Sequence, residues 1–109
     1  MRIEIHGAHS QRIKAHVNSK LNGALDPYQG HIDRVEVRLA DINANKGGID
    51  KDVLINVHVT RNTPVIVHQR DDDMYAAVAQ AADRAKTAVG RVMDRKYHRR
   101  HAIGWKGET

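Results

Sequence analysis

Residues 71–99 read DDDMYAAVAQAADRAKTAVGRVMDRKYHR. Within this stretch Met74, Val78, Ala81, Ala85, Val89 and Val92 recur at the 3.6-residue period of an amphipathic helix. The three carboxylates that open it, Asp71 to Asp73, suit the positive end of a helix dipole, and capping explains them better than a cation site does. The spacing predicts a helix from Asp72 to about Arg99. Gly90 inside it costs ~1 kcal/mol relative to alanine.

The chain before this helix alternates. Val65 and Val67 begin a strand, with Pro64 near its start, where an edge or strand-end position tolerates a missing N–H. Val53, Ile55, Val57 and Val59 form the inner face of another strand. Arg61-Asn62 joins the two as a tight turn, with asparagine as the residue that tolerates positive φ. Further back, Asn43 to Asp50 contains Gly47-Gly48 and reads as a hairpin loop. Arg34 to Leu39 is a strand with Val35, Val37 and Leu39 inside. Ile13, Val17, Leu21 and Ala24/Leu25 mark a first helix, with Ser10 as its N-cap and Asp26-Pro27 at its end. Arg2 to His6 is the leading strand, with Ile3 and Ile5 inside and Gly7 as its break.

The order is β-α-β-β-β-α. Every strand has one apolar face and each helix one apolar stripe. The simple solution is a two-layer α+β domain, a four-stranded mixed sheet with both helices packed on one face. The first two strands, joined through a helix, should be parallel with a right-handed crossover. The hairpin-linked pairs should be antiparallel. A chain of 109 residues fits one domain. It has no cysteine, which excludes disulfides and thiolate metal sites. No segment approaches the ~20 apolar residues of a membrane span or the apolar run of a signal peptide, so a soluble, cytoplasmic protein without a membrane partner is expected.

The net charge is +5, and its distribution carries more than its size. Residues 1–83 hold ten Lys/Arg against eleven Asp/Glu, while residues 84–109 hold eight against two. The first part is therefore at −1 and the last quarter at +6. A block of one sign points to an anionic partner, nucleic acid or acidic membrane. At 100° per residue, Arg84, Arg91, Arg95 and Arg99 fall in one stripe beside the apolar face, extending roughly 22 Å along the axis. Such a ladder can follow several phosphates. Lys86, Lys96 and Arg100 project elsewhere round the cylinder and widen the positive surface. The dipole at a helix C-terminus accounts for Arg99 but reaches only the last turn, so it leaves Arg84 unexplained. The first helix adds Arg12, Lys14, His16 and Lys20. Lys14 and Lys20 lie about 240° apart in projection, so they flank one groove only if it runs between the helices.

Asp73-Met74-Tyr75-Ala76-Ala77, opening a long basic helix after β-α-β-β-β, resembles the ribosome hibernation promoting factor and protein Y family, also called sigma-54 modulation proteins, in its short form. Ile3-x-Ile5-x-Gly7 and the segment Ser10 to Leu21 also look like the family, and the resemblance covers about residues 1–100. It implies a non-enzymatic factor, monomeric off the ribosome. Such a factor binds 16S rRNA of the small (30S) ribosomal subunit in stress or stationary phase and fills the channel of mRNA and the A- and P-site tRNAs. It places the ribosome-binding domain at residues 1–101 and a disordered tail at 102–109. The candidate RNA-binding residues are then Lys14, Lys20, Arg84, Lys86, Arg91, Arg95, Lys96 and Arg99. Gly23, Thr87 and Met93 stand where relatives often carry a basic residue.

Two other readings compete. A sheet with two helices on one face also matches the general architecture of double-stranded RNA-binding domains, although the leading strand and the DMYAA string argue against it. A protein-interaction module acting on a transcription factor is the third. Catalysis is not expected: Ser10, Ser19, Thr60 and Thr63 sit in no nucleophile motif, Gly47-Gly48 lacks the Walker lysine, and no small-molecule substrate is implied. Alternation puts His6, His58 and His68 on the outer strand face, and His6-x-x-His9 and His98-x-x-His101 are close pairs, but these spacings match no metal-ligand motif. Neither metal nor cofactor is expected. Trp105 could stack on a base, but reads better as part of the tail.

Overall fold

The computed structural model describes residues 1–7, 10–41 and 51–104, of which 96–104 are described as backbone. The elements run β1 (Arg2–His6), α1 (Gln11–Leu25), a 3₁₀ turn (Asp26–His31), β2 (Ile32–Asp41), β3 (Lys51–Val59), β4 (Val65–Asp71) and α2 (Met74–Gly104). The sheet order is β1-β2-β3-β4. β1 pairs with β2 in parallel, and the other two pairings are antiparallel. The expected α+β architecture is therefore the one the chain adopts. The predicted Gly47-Gly48 loop and Trp105 lie outside the described residues.

Alternation sets the two faces of the sheet. Val35, Val37 and Leu39 of β2, Val53, Ile55, Val57 and Val59 of β3, and Val65 and Val67 of β4 are buried under the helices. α1 contributes Ile13, Val17, Leu21 and Leu25, and α2 contributes Ala77, Val78, Ala81, Ala82, Ala85 and Val89. Full burial of side chains such as Leu21, Leu25 and Ile55 stabilises the fold by about 1.5–3 kcal/mol each. The alanines on α2 let its backbone come close to the sheet. The two helices run in the same direction: the His16 ring meets Tyr75 edge-on, with centroids 4.8 Å apart, near the start of both. Beyond the far end of α1, the Tyr28 hydroxyl lies 3.0 Å from where a Cβ on Gly90 would stand.

The boundaries show which local forces win. The Ser10 hydroxyl accepts from Ile13 N–H at 3.3 Å, the predicted N-cap. α2 begins at Met74 rather than Asp72, because two of the aspartates act outside the helix. Asp71 accepts from Asp73 N–H and Asp73 accepts from Tyr75 N–H, both at 3.0 Å. A hydrogen bond shared with Asp72 holds the Asp71 carboxyl below its ordinary range and pushes Asp72 above it. At the other end α2 continues to Gly104, past the stop expected near Arg99, so residues 102–104 of the anticipated tail belong to the helix. No proline interrupts this stretch, and Arg and Lys are good helix formers. In the β3–β4 turn the positive φ falls on Arg61 (61°), not on Asn62. The Asn62 amide instead donates to the Thr60 carbonyl at 3.0 Å. Gly7 ends β1 at φ +85°, and a Cβ there would lie 2.2 Å from the Leu39 carbonyl oxygen. Only glycine lets the chain leave β1 so close to β2.

Candidate nucleic-acid interface

α2 lies over β3 and β4, with α1 at its side. Its Arg84–Arg91 stripe therefore faces the β4 edge, away from α1. Between that stripe and β4 runs an open groove of about 640 Å³ lined by Ile66, Asp83, Arg84, Lys86, Thr87 and Arg91 among others. Lys86, which helical projection sets apart from the arginine stripe, also lines this groove. The edge strand contributes Ile66, which is 65 % exposed.

The cations of the groove are not equivalent. The Arg84 guanidinium donates through Nη1 to the His68 carbonyl at 2.6 Å and to Gln69 Oε1 at 2.8 Å. It clips α2 to β4, and part of its donor capacity is already used. Gln80 extends the same seam, receiving a bond from Gln69 at 2.7 Å and donating to Asp71 at 3.1 Å. Lys86, Arg91 and Arg95 are exposed and have no hydrogen-bond or ion-pair partner among the described residues. Uncompensated cations in a row are what a polyanion needs. Lys96 and Arg99 lie on the following turn and beyond it in α2, with backbone alone described.

Lys14 and Lys20 of α1 do not join this groove. Lys14 is half-buried and Lys20 exposed, and neither has a polar partner among the described residues. His16, also on α1, is committed to the helix pair, with Nε2 3.0 Å from the Tyr75 carbonyl. The positive surface thus has two parts, a ladder along the β4 side of α2 and a sparser set on α1.

The uncovered face of the sheet holds groups that sequence reading located but did not connect. Glu36 lies opposite Glu4 on β1 and Asn56 on β3. His58 Nε2 is 2.6 Å from Glu36 Oε1, and this bond holds the Glu36 carboxyl below its ordinary range, with Arg34 contributing in the same sense. His68 and Arg70 both contact Asp52, Arg70 at 3.0 Å. Alternation put these histidines on the outer face, but their carboxylate partners come from strand register. Among the described residues no helix is long and apolar enough to cross a membrane.

No curated protein matches the chain. Among solved structures it is similar to a ribosomal subunit interface protein from Coxiella burnetii, at 21 % identity and a TM-score of 0.72, covering 86 % of this chain and 99 % of that one. It is similar also to the protein Y N-terminal domain of Thermus thermophilus, at 30 % identity and a TM-score of 0.66, covering 84 % of this chain and 99 % of that one. The sigma-54 modulation protein / S30EA ribosomal protein model matches residues 3–97, nearly the whole described fold. That family comprises ribosome-associated factors and is not an enzyme family. On the extent of that match and the 30 % identity, the chain belongs to the sigma-54 modulation protein / S30EA ribosomal protein family.

Proposed function

We propose that this protein is a cytoplasmic hibernation factor that binds 16S rRNA of the small (30S) ribosomal subunit and fills the channel for mRNA and the A- and P-site tRNAs. The observation that carries the reading is the set of exposed cations Lys86, Arg91 and Arg95, without a polar partner among the described residues, on a family member's long second helix. Phosphate contacts from such a row position the protein on RNA without reading bases, as a channel-filling factor requires. Lys96 and Arg99 continue the row, Arg84 holds it against the sheet while offering its remaining donors, and Lys14 and Lys20 supply a second contact line. The mechanism is occlusion: no bond is made or broken, and the protein acts as a monomer by occupying a site that translation needs.

Sucrose-gradient sedimentation with ribosomes tests this directly. The protein should travel with small subunits at low salt and inhibit translation of a reporter message. A protein that stays at the top of the gradient, or that is displaced as readily by a bare RNA duplex as by small subunits, would refute the reading.

A further inference from the structure

We infer that Glu4, His6 and Glu36 form a binding site for a zinc-class divalent cation on the uncovered face of the sheet. Glu4 and His6 are two residues apart on β1 and project from the same face. The parallel register sets Glu36 of β2 directly opposite Glu4. One ligand atom from each of the three residues lies within 4.8 Å of the others. Zinc holds imidazole nitrogen and carboxylate oxygen at about 2.0–2.2 Å. Small rotations of three side chains on adjacent strands therefore close the set.

Two further observations support a cation here. Like charges directly opposite one another across a strand pair are destabilising, and a divalent ion converts the Glu4–Glu36 pair into a bridge. On the other side of Glu36, the Asn56 Oδ1 is buried and accepts no hydrogen bond among the described residues. A water on the metal would give it a donor. His58, held 2.6 Å from Glu36 Oε1, would orient that carboxylate from behind as outer-sphere partners commonly do. The arginines around the site compete with the metal. Arg2 lies 2.8 Å from Glu4 Oε2, Arg34 lies 3.6 Å from Glu36 Oε1, and Arg38 stands opposite His6. Each carboxylate keeps a second oxygen for the ion. Three protein ligands including an imidazole suit zinc and its first-row neighbours better than calcium or magnesium, which need more oxygens or near-ideal octahedra. The site lies on the face opposite the helices, so it pins the β1 edge of the sheet and leaves the α2 ladder untouched. It does not depend on the proposed function.

The test uses the full chain, stripped with chelator and titrated with zinc chloride by calorimetry. Cobalt(II) absorption serves as a second probe of the coordination sphere. One zinc per chain should bind with a rise in Tm, and amide resonances of β1 and β2 should shift. Glu4→Gln and His6→Gln, both on the exposed side of the sheet, should each abolish that binding, and His58→Gln should weaken it about 10- to 100-fold. A double variant, His98→Ala with His101→Ala, should bind as the parent does. Binding that survives Glu4→Gln and His6→Gln, shifts confined to other histidines, or no saturable binding at all would overturn the inference. If Glu36→Gln fails to fold for want of its His58 bond, the two β1 variants still decide the question.

Discussion

Replacing Lys86, Arg91 and Arg95 together by alanine should change the salt dependence of ribosome binding while leaving the fold alone. The three side chains are exposed, and none has a polar partner among the described residues. Their loss should therefore move folding stability by no more than about 0.5 kcal/mol per site. If each neutralises one phosphate, each contributes about 0.7 to 0.9 to the slope of log affinity against log salt, so the triple variant should flatten that slope by roughly 2 to 3. Over a rise from about 50 to 200 mM monovalent salt, the parent should lose roughly 20- to 40-fold more affinity than the variant. The assay is filtration or sedimentation binding to purified small subunits at four or five salt concentrations, with a denaturation curve as a control for folding. Parallel slopes for parent and variant would refute the claim that these cations meet phosphate, even if the variant bound more weakly throughout. A slope change accompanied by a large loss of stability would refute the claim that they play no part in the fold.

Arg84→Ala should behave differently. It removes the clip from α2 to β4 and should cost about 1 kcal/mol of stability in a denaturant titration, which the triple variant should not. Gly7→Ala should be severe, because it forces a side chain into positive φ, worth about 1–2 kcal/mol, and drives its Cβ against the Leu39 carbonyl. A Tm within a few degrees of the parent would contradict the close approach of β1 and β2. Gly90→Ala should yield the helix-propensity gain of about 1 kcal/mol only after the Tyr28 hydroxyl is removed. A double-mutant cycle with Tyr28→Phe should therefore show coupling between the two positions, and additivity would place them apart.

The fold was legible because its two periodicities are clean. Val53, Ile55, Val57 and Val59 alternate without exception, and the α2 stripe keeps its period from Met74 to Val92. The errors of detail come from interactions that periodicity does not carry. The start of α2 depends on which aspartates accept backbone N–H bonds outside the helix, and the β3–β4 turn on Asn62 using its amide rather than its tolerance of positive φ. For the candidate interface, sequence could place Arg84, Arg91 and Arg95 on one stripe, since that needs only helix geometry. It could not separate Arg84 from the other two, because its acceptor is a strand carbonyl sixteen residues away that tertiary packing brings into reach. The Glu4–His6–Glu36 cluster needed the parallel register of strands more than thirty positions apart, so no spacing along the chain could reveal it.

The distribution of burial along α2 divides the helix between packing and exposed charge. Among the described side chains its last buried position is Val89, with Val92 and Met93 packed only in part. Up to that point small residues, Ala77, Ala81, Ala82 and Ala85, seat the backbone against the sheet, and the anchoring polar contacts, from Asp71 through Gln80 to Arg84, lie in the same half. Beyond it, among the described side chains, Arg91 and Arg95 are exposed. Arg91 and Arg95 therefore stand where substitution costs the fold little and where an anion can approach without displacing packed side chains. Arg91 and Arg95, past the last buried position among the described side chains, therefore stay without a carboxylate partner at small cost to the fold.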